Sequence, residues 1–312
     1  MSYEDIMSEI LLKDERFIIL TAENRALIRN IQNHPELKKR FIDTGITEQT
    51  MIGIAAGLAL RGRVPIVHAL AAFLTMRAFE FIRTDVGIAQ LPVKFTGFIP
   101  GLLSDGNGPT HQAIEDIAIM RGIPGMQVFA PGDENDMIAM LPVIWQSPFP
   151  SYVRANTLKS VVSQHASFQI GKAEVFSEGA DVTFLVYGML FSQAWEAKEK
   201  LITQGVSVGL VNVRSIKPLD DELILSVIYR SELIVIVEDH FQIGGLHSIV
   251  AELLLRERMS ANVISMSLGE TWFKPGRLEE VLHKAGLSGQ QIADRTMQLL
   301  QKNVNKTIYV ED

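Results

Sequence analysis

The chain contains no cysteine, which excludes disulfides, thiolate catalysis and zinc-thiolate centres. It has no long run of lysine and arginine, and its 36 acidic residues outnumber 29 basic ones, a poor basis for gripping a phosphate backbone. Long hydrophobic runs are absent too. The longest, Met51 to Leu60, includes two glycines and three alanines, and it is far short of the roughly 20 apolar residues a membrane span requires. The acidic opening Met1-Ser2-Tyr3-Glu4-Asp5 lacks the charged-then-apolar layout of a signal peptide. A cytoplasmic location and no membrane or nucleic-acid partner are therefore expected.

What is present is a large apolar fraction, 47% of 312 residues, enough for two cores rather than one. Short β-branched runs alternate with helix-length segments. Phe17–Leu20, Pro65–Val67, Val93–Thr96, Gln127–Phe129 and Tyr152–Arg154 read as strands. Thr47–Arg61, Ala72–Ala89, Ala113–Arg121 and Glu134–Trp145 read as helices. A second series starts after the polar stretch Lys159–Gly179, with strands at Val182–Val186, Val206–Val211, Leu233–Val237 and Asn262–Met266. Continuous apolar strands separated by helices predict parallel sheets covered on both faces. The expected fold is α/β, two consecutive parallel-sheet three-layer domains over residues 1–165 and 179–312.

The segment Asp43-Thr44-Gly45-Ile46-Thr47-Glu48-Gln49 follows a strand and opens a helix. Gly45 suits a tight turn, Thr47 is a plausible N-cap, and Glu48 falls beside the helix's positive end. Alone, an acid there is an ordinary helix starter. Its helix continues with the small residues Gly53, Ala55, Ala56 and Gly57, and downstream stands the uncommon string Gly108-Pro109-Thr110-His111-Gln112. Taken in this order, these strings resemble the transketolase family, and the resemblance runs to Gly244-Gly245.

The resemblance implies a thiamine-diphosphate pyrimidine-binding domain followed by a transketolase C-terminal domain. It implies that Glu48 bonds to N1′ of the aminopyrimidine, favouring the tautomer that sets a base beside the reactive thiazolium carbon. Phe73 matches the aromatic that stacks on the pyrimidine, although it is otherwise an ordinary core phenylalanine. Ile46 and Leu70 belong to the same pocket. Leu70 and Met76 stand where relatives often carry further aromatics. His111 matches the histidine that faces the reacting carbon, and its alternative is a satisfied loop histidine. Arg154 matches an arginine that binds the sugar phosphate, and its alternative is an ordinary salt bridge.

Several positions depart from the family pattern. Ile99 stands where a substrate-contacting histidine is common, Gly106-Asn107 replaces a Glu-Asp pair, and Leu27 falls where a phosphate-contacting serine is frequent. Sites that read hydroxyl groups discriminate strongly, so these changes point to a modified sugar. The family's Gly-Asp-Gly motif with a downstream asparagine is not found. Gly132-Asp133-Glu134-Asn135 echoes it but reads as the start of a helix. The resemblance then implies that Mg²⁺ or another divalent cation and the diphosphate are held by a partner, an N-terminal diphosphate-binding subunit in an α₂β₂ heterotetramer. No metal ligands are expected in this chain, since His34, His68, His165, His247 and His283 show no metal spacing. His240 is expected at an interface.

The expected activity is transfer of a two-carbon ketol unit from a ketose to an aldose. The alternatives are the β subunit of a 2-oxoacid dehydrogenase, a deoxyxylulose-phosphate-synthase-like enzyme, or a catalytically silent assembly subunit.

Overall fold

A computed structural model describes residues 2–23 and 28–308. Among the described residues, twelve strands form two sheets: β1 (Phe17–Thr21), β2 (Phe41–Asp43), β3 (Val64–Leu70), β4 (Lys94–Phe98), β5 (Gln127–Phe129), β6 (Ser151–Ala155), β7 (Glu174–Ser177), β8 (Val182–Val186), β9 (Val208–Asn212), β10 (Ser215–Lys217), β11 (Leu233–Phe241) and β12 (Val263–Leu268). The first sheet has the order β10-β5-β6-β4-β3-β1-β2 and the second β12-β11-β8-β9-β7. Pairing is parallel except at one edge of each sheet, where β10 runs against β5 and β7 against β9.

The strands are apolar on both faces because both faces are covered. In β1, Phe17 and Ile19 pack on one side with helix α1 (Tyr3–Lys13) and the helix Glu134–Gln146. Ile18 and Leu20 point to the other side, where helix α2 (Glu48–Leu60) supplies Met51, Ile52 and Ala55. The second sheet divides in the same way. Leu233, Val235 and Val237 of β11 face that domain's own helices, whereas Ile234 and Ile236 join the core that also holds Val67 and Phe95 of the first domain. A shared apolar core of this kind fixes two domains against each other.

Two features of the seam differ from the sequence expectation. Ser215–Lys217 belongs to the first domain's sheet rather than to the second domain's own series. Lys217 Nζ then donates to the carbonyls of Arg121 and Ile123, each at 2.7 Å, so the second half of the chain is laced into the first. The polar stretch before Gly179 is also ordered around charge. His165 Nε2 donates to Asp133 Oδ2 at 2.9 Å and its Nδ1 to Glu174 Oε2 at 2.8 Å, while Arg214 Nη1 reaches Asp136 Oδ1 at 2.8 Å. Carboxylates accept, so both ring nitrogens carry protons and His165 is an imidazolium. Burial pushes its pKa down, but the hydrogen bonds to Asp133 and Glu174 outweigh burial and lift it to about 10.

This raised value has a testable sign. Stability contributed by the imidazolium is complete below its unfolded value of 6.5 and is lost as pH rises through about 10. Thermal melts across that alkaline window should show a fall in the wild-type midpoint, and the fall should be shallower in His165→Gln.

Candidate functional site

The crevice of an open parallel sheet lies beyond the carboxyl ends of its strands, where the chain order reverses. In the first sheet β1 is flanked by β2 on one side and β3 on the other, which is such a point. Gly45 follows β2 with φ +70°, a conformation that glycine adopts readily, and the chain turns there directly into α2. Thr47 occupies the N-cap position without capping. Its hydroxyl donates back to the Thr44 carbonyl at 2.9 Å, which stiffens the turn instead.

Glu48 is thereby set at the first helical position with its carboxyl group 3% exposed. Across from it, Leu70 ends β3 and the chain enters a helical stretch with π turns at Phe73–Arg77 and Ile82–Gly87. The sequence suggested a plain helix over Ala72–Ala89. A π turn inserts one residue and re-aims those around it, often at functional sites. Here Arg77 lies over Phe73, its guanidinium carbon 4.1 Å from the ring centroid, and its Nη1 donates to Glu48 Oε2 at 2.9 Å. The Phe73 ring meets His111 edge to face at 4.8 Å. Glu48, Arg77, Phe73 and His111 therefore form one continuous cluster.

The loop carrying His111 is braced by the second domain. Gly108 has φ +70° and ψ −156°, and a Cβ added there would sit 2.7 Å from Pro275 Cδ. The Gly276 amide donates to the Asp105 carbonyl at 3.2 Å, and Thr110 Oγ1 and His111 Nδ1 are 2.9 Å apart. Gly108→Ala should therefore displace the loop. A shift of about 1 Å at such a place can lower kcat/KM by about 10²-fold, which steady-state kinetics on the assembled enzyme would register.

Ile46 is 68% exposed beside this cluster. Asn107 is exposed, with its amide 3.5 Å from Ser104 Oγ. Ile99 lies just beyond β4 with φ +44°, uncommon for a β-branched residue and a mark of local strain. Leu27 lies outside the described residues. From the sequence Arg77 is an interface or structural ion-pair residue without chemistry, and Gln112 carries no separate signal. The latter is fully buried with neither amide atom bonded to another described residue, a polar group that a water or ligand atom would satisfy.

Arg154, matched to a substrate-binding arginine with an ordinary salt bridge as the alternative, takes the arrangement of the alternative: its side chain is 1% exposed. Its Nε donates to Asp116 Oδ2 at 2.9 Å and its Nη1 to Asp239 Oδ1 at 2.8 Å, while Nη2 also reaches the Ala113 carbonyl at 3.3 Å. Asp239 arrives from β11, whose register with β12 shifts between Val237 and Phe241; Asp239 and His240 reach the first domain there, whereas Glu238 accepts from Tyr187 and the Leu246 and His247 amides of its own domain. The guanidinium is consumed by two buried carboxylates and has no edge left for a phosphate. His240 meets the same seam: its Nδ1 donates to the Phe241 carbonyl at 2.6 Å and its Nε2 accepts from the Ala118 amide at 3.3 Å.

Among the described residues, one group has metal-like ligand spacing, Asp136, His165 and Glu174. It was not foreseen from the sequence. Its histidine already spends both nitrogens on carboxylates, and Arg214 pairs with Asp136, so it is built as an ion-pair cluster in the seam. The site as a whole fits the pyrimidine end of thiamine diphosphate, with a buried carboxyl group beside an aromatic face.

Residues 1–159 match the transketolase pyrimidine-binding domain and residues 171–292 the transketolase C-terminal domain. The chain belongs to the transketolase family. It is a transketolase-like transferase subunit, and family membership implies thiamine diphosphate. It is 34% identical to the 6-deoxy-6-sulfo-D-fructose transketolase subunit of Clostridium sp. (strain MSTE9), covering 93% of this chain and 91% of that one. It is also 34% identical to the 1-deoxy-D-xylulose-5-phosphate synthase of Caldanaerobacter subterraneus subsp. tengcongensis, covering 95% of this chain and 49% of that one; the chain thus spans about half of that transketolase-family enzyme. A solved structure described as a split gene transketolase, inactive beta4 tetramer, superimposes with a TM-score of 0.85 at 31% identity, covering 96% of this chain and 97% of that one. No described helix is long and apolar enough to cross a membrane.

Proposed function

We propose that this transketolase subunit performs ketol transfer on a modified sugar only when joined to a cytoplasmic partner subunit, in an α₂β₂ assembly, that holds the diphosphate and its divalent cation. Thiamine diphosphate, when bound, supplies the carbon nucleophile that removes a two-carbon unit from a ketose. This chain's residues orient and protonate around it. Glu48 would share a proton with the pyrimidine N1′, Phe73 with Leu70 and Ile46 would hold the ring, and His111 would donate to substrate oxygen from its loop. The observation that carries this reading is the buried Glu48 carboxyl group linked through Arg77 to Phe73, and through Phe73 to His111.

The need for a partner is supported by the chain's half of the cofactor chemistry and by its surface. Gly53, Gly57 and Leu60 share an exposed stripe of α2, Leu60 is 70% and Ile88 71% exposed, and a Cβ at either glycine meets nothing within 4 Å. The solved relative titled as a tetramer of one chain type is titled inactive. A modified sugar is supported by apolar Ile99 and by Asn107 in the substrate loop, and by the sulfosugar in a relative's name. Size-exclusion chromatography of this chain mixed with a diphosphate-domain chain should give a heterotetramer that turns over 6-deoxy-6-sulfofructose better than xylulose 5-phosphate. Ordinary efficiency with xylulose 5-phosphate would reject the substrate assignment, and decarboxylation of pyruvate would favour the synthase-like alternative.

A further inference from the structure

Arg77 occupies one face of the Phe73 ring. Its guanidinium carbon is 4.1 Å from the Phe73 centroid, and its Nη1 is 2.9 Å from Glu48 Oε2. The Glu48 side chain is 3% exposed and the arginine side chain paired with it 40% exposed, so the guanidinium links the buried carboxyl group to the surface. A guanidinium is flat and delocalised, with N–H donors along its edge. It therefore offers a face to an aromatic ring and an edge to a carboxylate at once. An aminopyrimidine offers the same two elements. One face of Phe73 accommodates one planar group, and the ring's other close aromatic neighbour is His111, which meets it edge to face.

We propose that Arg77 is a placeholder for the pyrimidine: in the unassembled chain it stacks on Phe73 and pairs with Glu48, and cofactor entry requires it to swing out to solvent. This inference rests on the proposed roles of Glu48 and Phe73 and adds a competitor for both. The arrangement suits a chain that must exist before its partner arrives. A buried carboxylate without a countercharge destabilises a fold, and Arg77 supplies that countercharge until the cofactor does. Its exit is not demanding, because partly exposed pairs are weak and a guanidinium is readily solvated. Arg77 also ends a π turn, with its long side chain already at the surface.

If the closed form holds about nine-tenths of the molecules, the apparent Kd is raised about tenfold over its intrinsic value. The test compares wild type with Arg77→Met in two measurements. The first is calorimetric titration of thiamine diphosphate with magnesium into the reconstituted complex. The second is the thermal midpoint of the free chain, measured for both proteins and for the Glu48→Gln/Arg77→Met double variant. The placeholder role requires opposite signs: Arg77→Met binds the cofactor about tenfold more tightly, yet its free chain melts lower, and the double variant recovers the lost midpoint. Weaker binding by Arg77→Met would mean that Arg77 clamps the cofactor, and unchanged binding would mean that it does not compete; either overturns the placeholder alone. Failure of the wild-type complex to bind thiamine diphosphate at all would overturn the reading of the pocket and the placeholder with it.

Discussion

Replacing Glu48 with glutamine should lower ketol-transfer turnover by about 10²–10⁴-fold, the range expected when a positioned proton-transfer group is lost. The amide retains the shape of the side chain at the start of α2, so Phe73 and His111 keep their places. What disappears is the acid–base capacity at the pyrimidine nitrogen. The fold should survive, because the charge removed is paired with Arg77, whose half-exposed side chain can turn to water. The check is kinetics on the reconstituted enzyme alongside circular dichroism and a melt of the free chain. A residual rate near wild type would remove Glu48 from the chemistry. A collapsed fold would make it a structural residue.

The second large effect is expected far from the chemistry. Arg154→Met leaves Asp116 and Asp239, both fully buried, without their shared cation. Breaking a buried pair by removing one partner destabilises by about 3–5 kcal/mol, and for a chain of this size the midpoint should fall by about 10 °C. Tyr152, whose hydroxyl donates to Asp116 Oδ2 at 2.6 Å, is then the one described side chain still bonded to that carboxylate. Because Asp239 comes from the second domain, the loss is expected to loosen the seam, which limited proteolysis between the domains would detect. Neutralising the carboxylates as well, in Arg154→Met/Asp116→Asn/Asp239→Asn, should recover part of the midpoint. A substrate-binding arginine would behave otherwise, with a raised KM and an unchanged melt.

The contrast between these two residues shows what a sequence carries and what it does not. The placement of Glu48 was legible because it is local: a turn glycine, a helix start and an acid at the first position lie within four residues of one another, while the role proposed for it came from the distant Gly108–Gln112 string and the family resemblance. The central strands of both sheets were legible for a similar reason, since continuous β-branched runs such as Leu233–Val237 have few other uses, whereas the edge strand Glu174–Ser177 lay inside the stretch read as a polar boundary. For Arg154 the sequence left a substrate arginine and a salt bridge both open, because the carboxylate that decides between them lies 85 positions away on a bulged strand. Ser215–Lys217 reads as a strand in either sheet, and tertiary pairing sent it to the first. His165 shows no ligand spacing along the chain, yet folding brings it between Asp133 and Glu174. The π turns of Phe73–Arg77 and Ile82–Gly87 leave the apolar pattern of a helix intact while changing where its side chains point, so the position of Arg77 over Phe73 had no signature in the sequence.

Exchange of the thiazolium C2 proton for deuterium, followed by acid quench and proton NMR on cofactor bound to the assembled subunits, probes the central assignment without needing the sugar. With wild-type protein the bound cofactor should exchange far faster than free thiamine diphosphate, and Glu48→Gln should slow that exchange by about 10²-fold or more. Exchange as fast in the saturated Glu48→Gln complex as in wild type would contradict the assignment, because proton movement at the ring would then not depend on this carboxyl group.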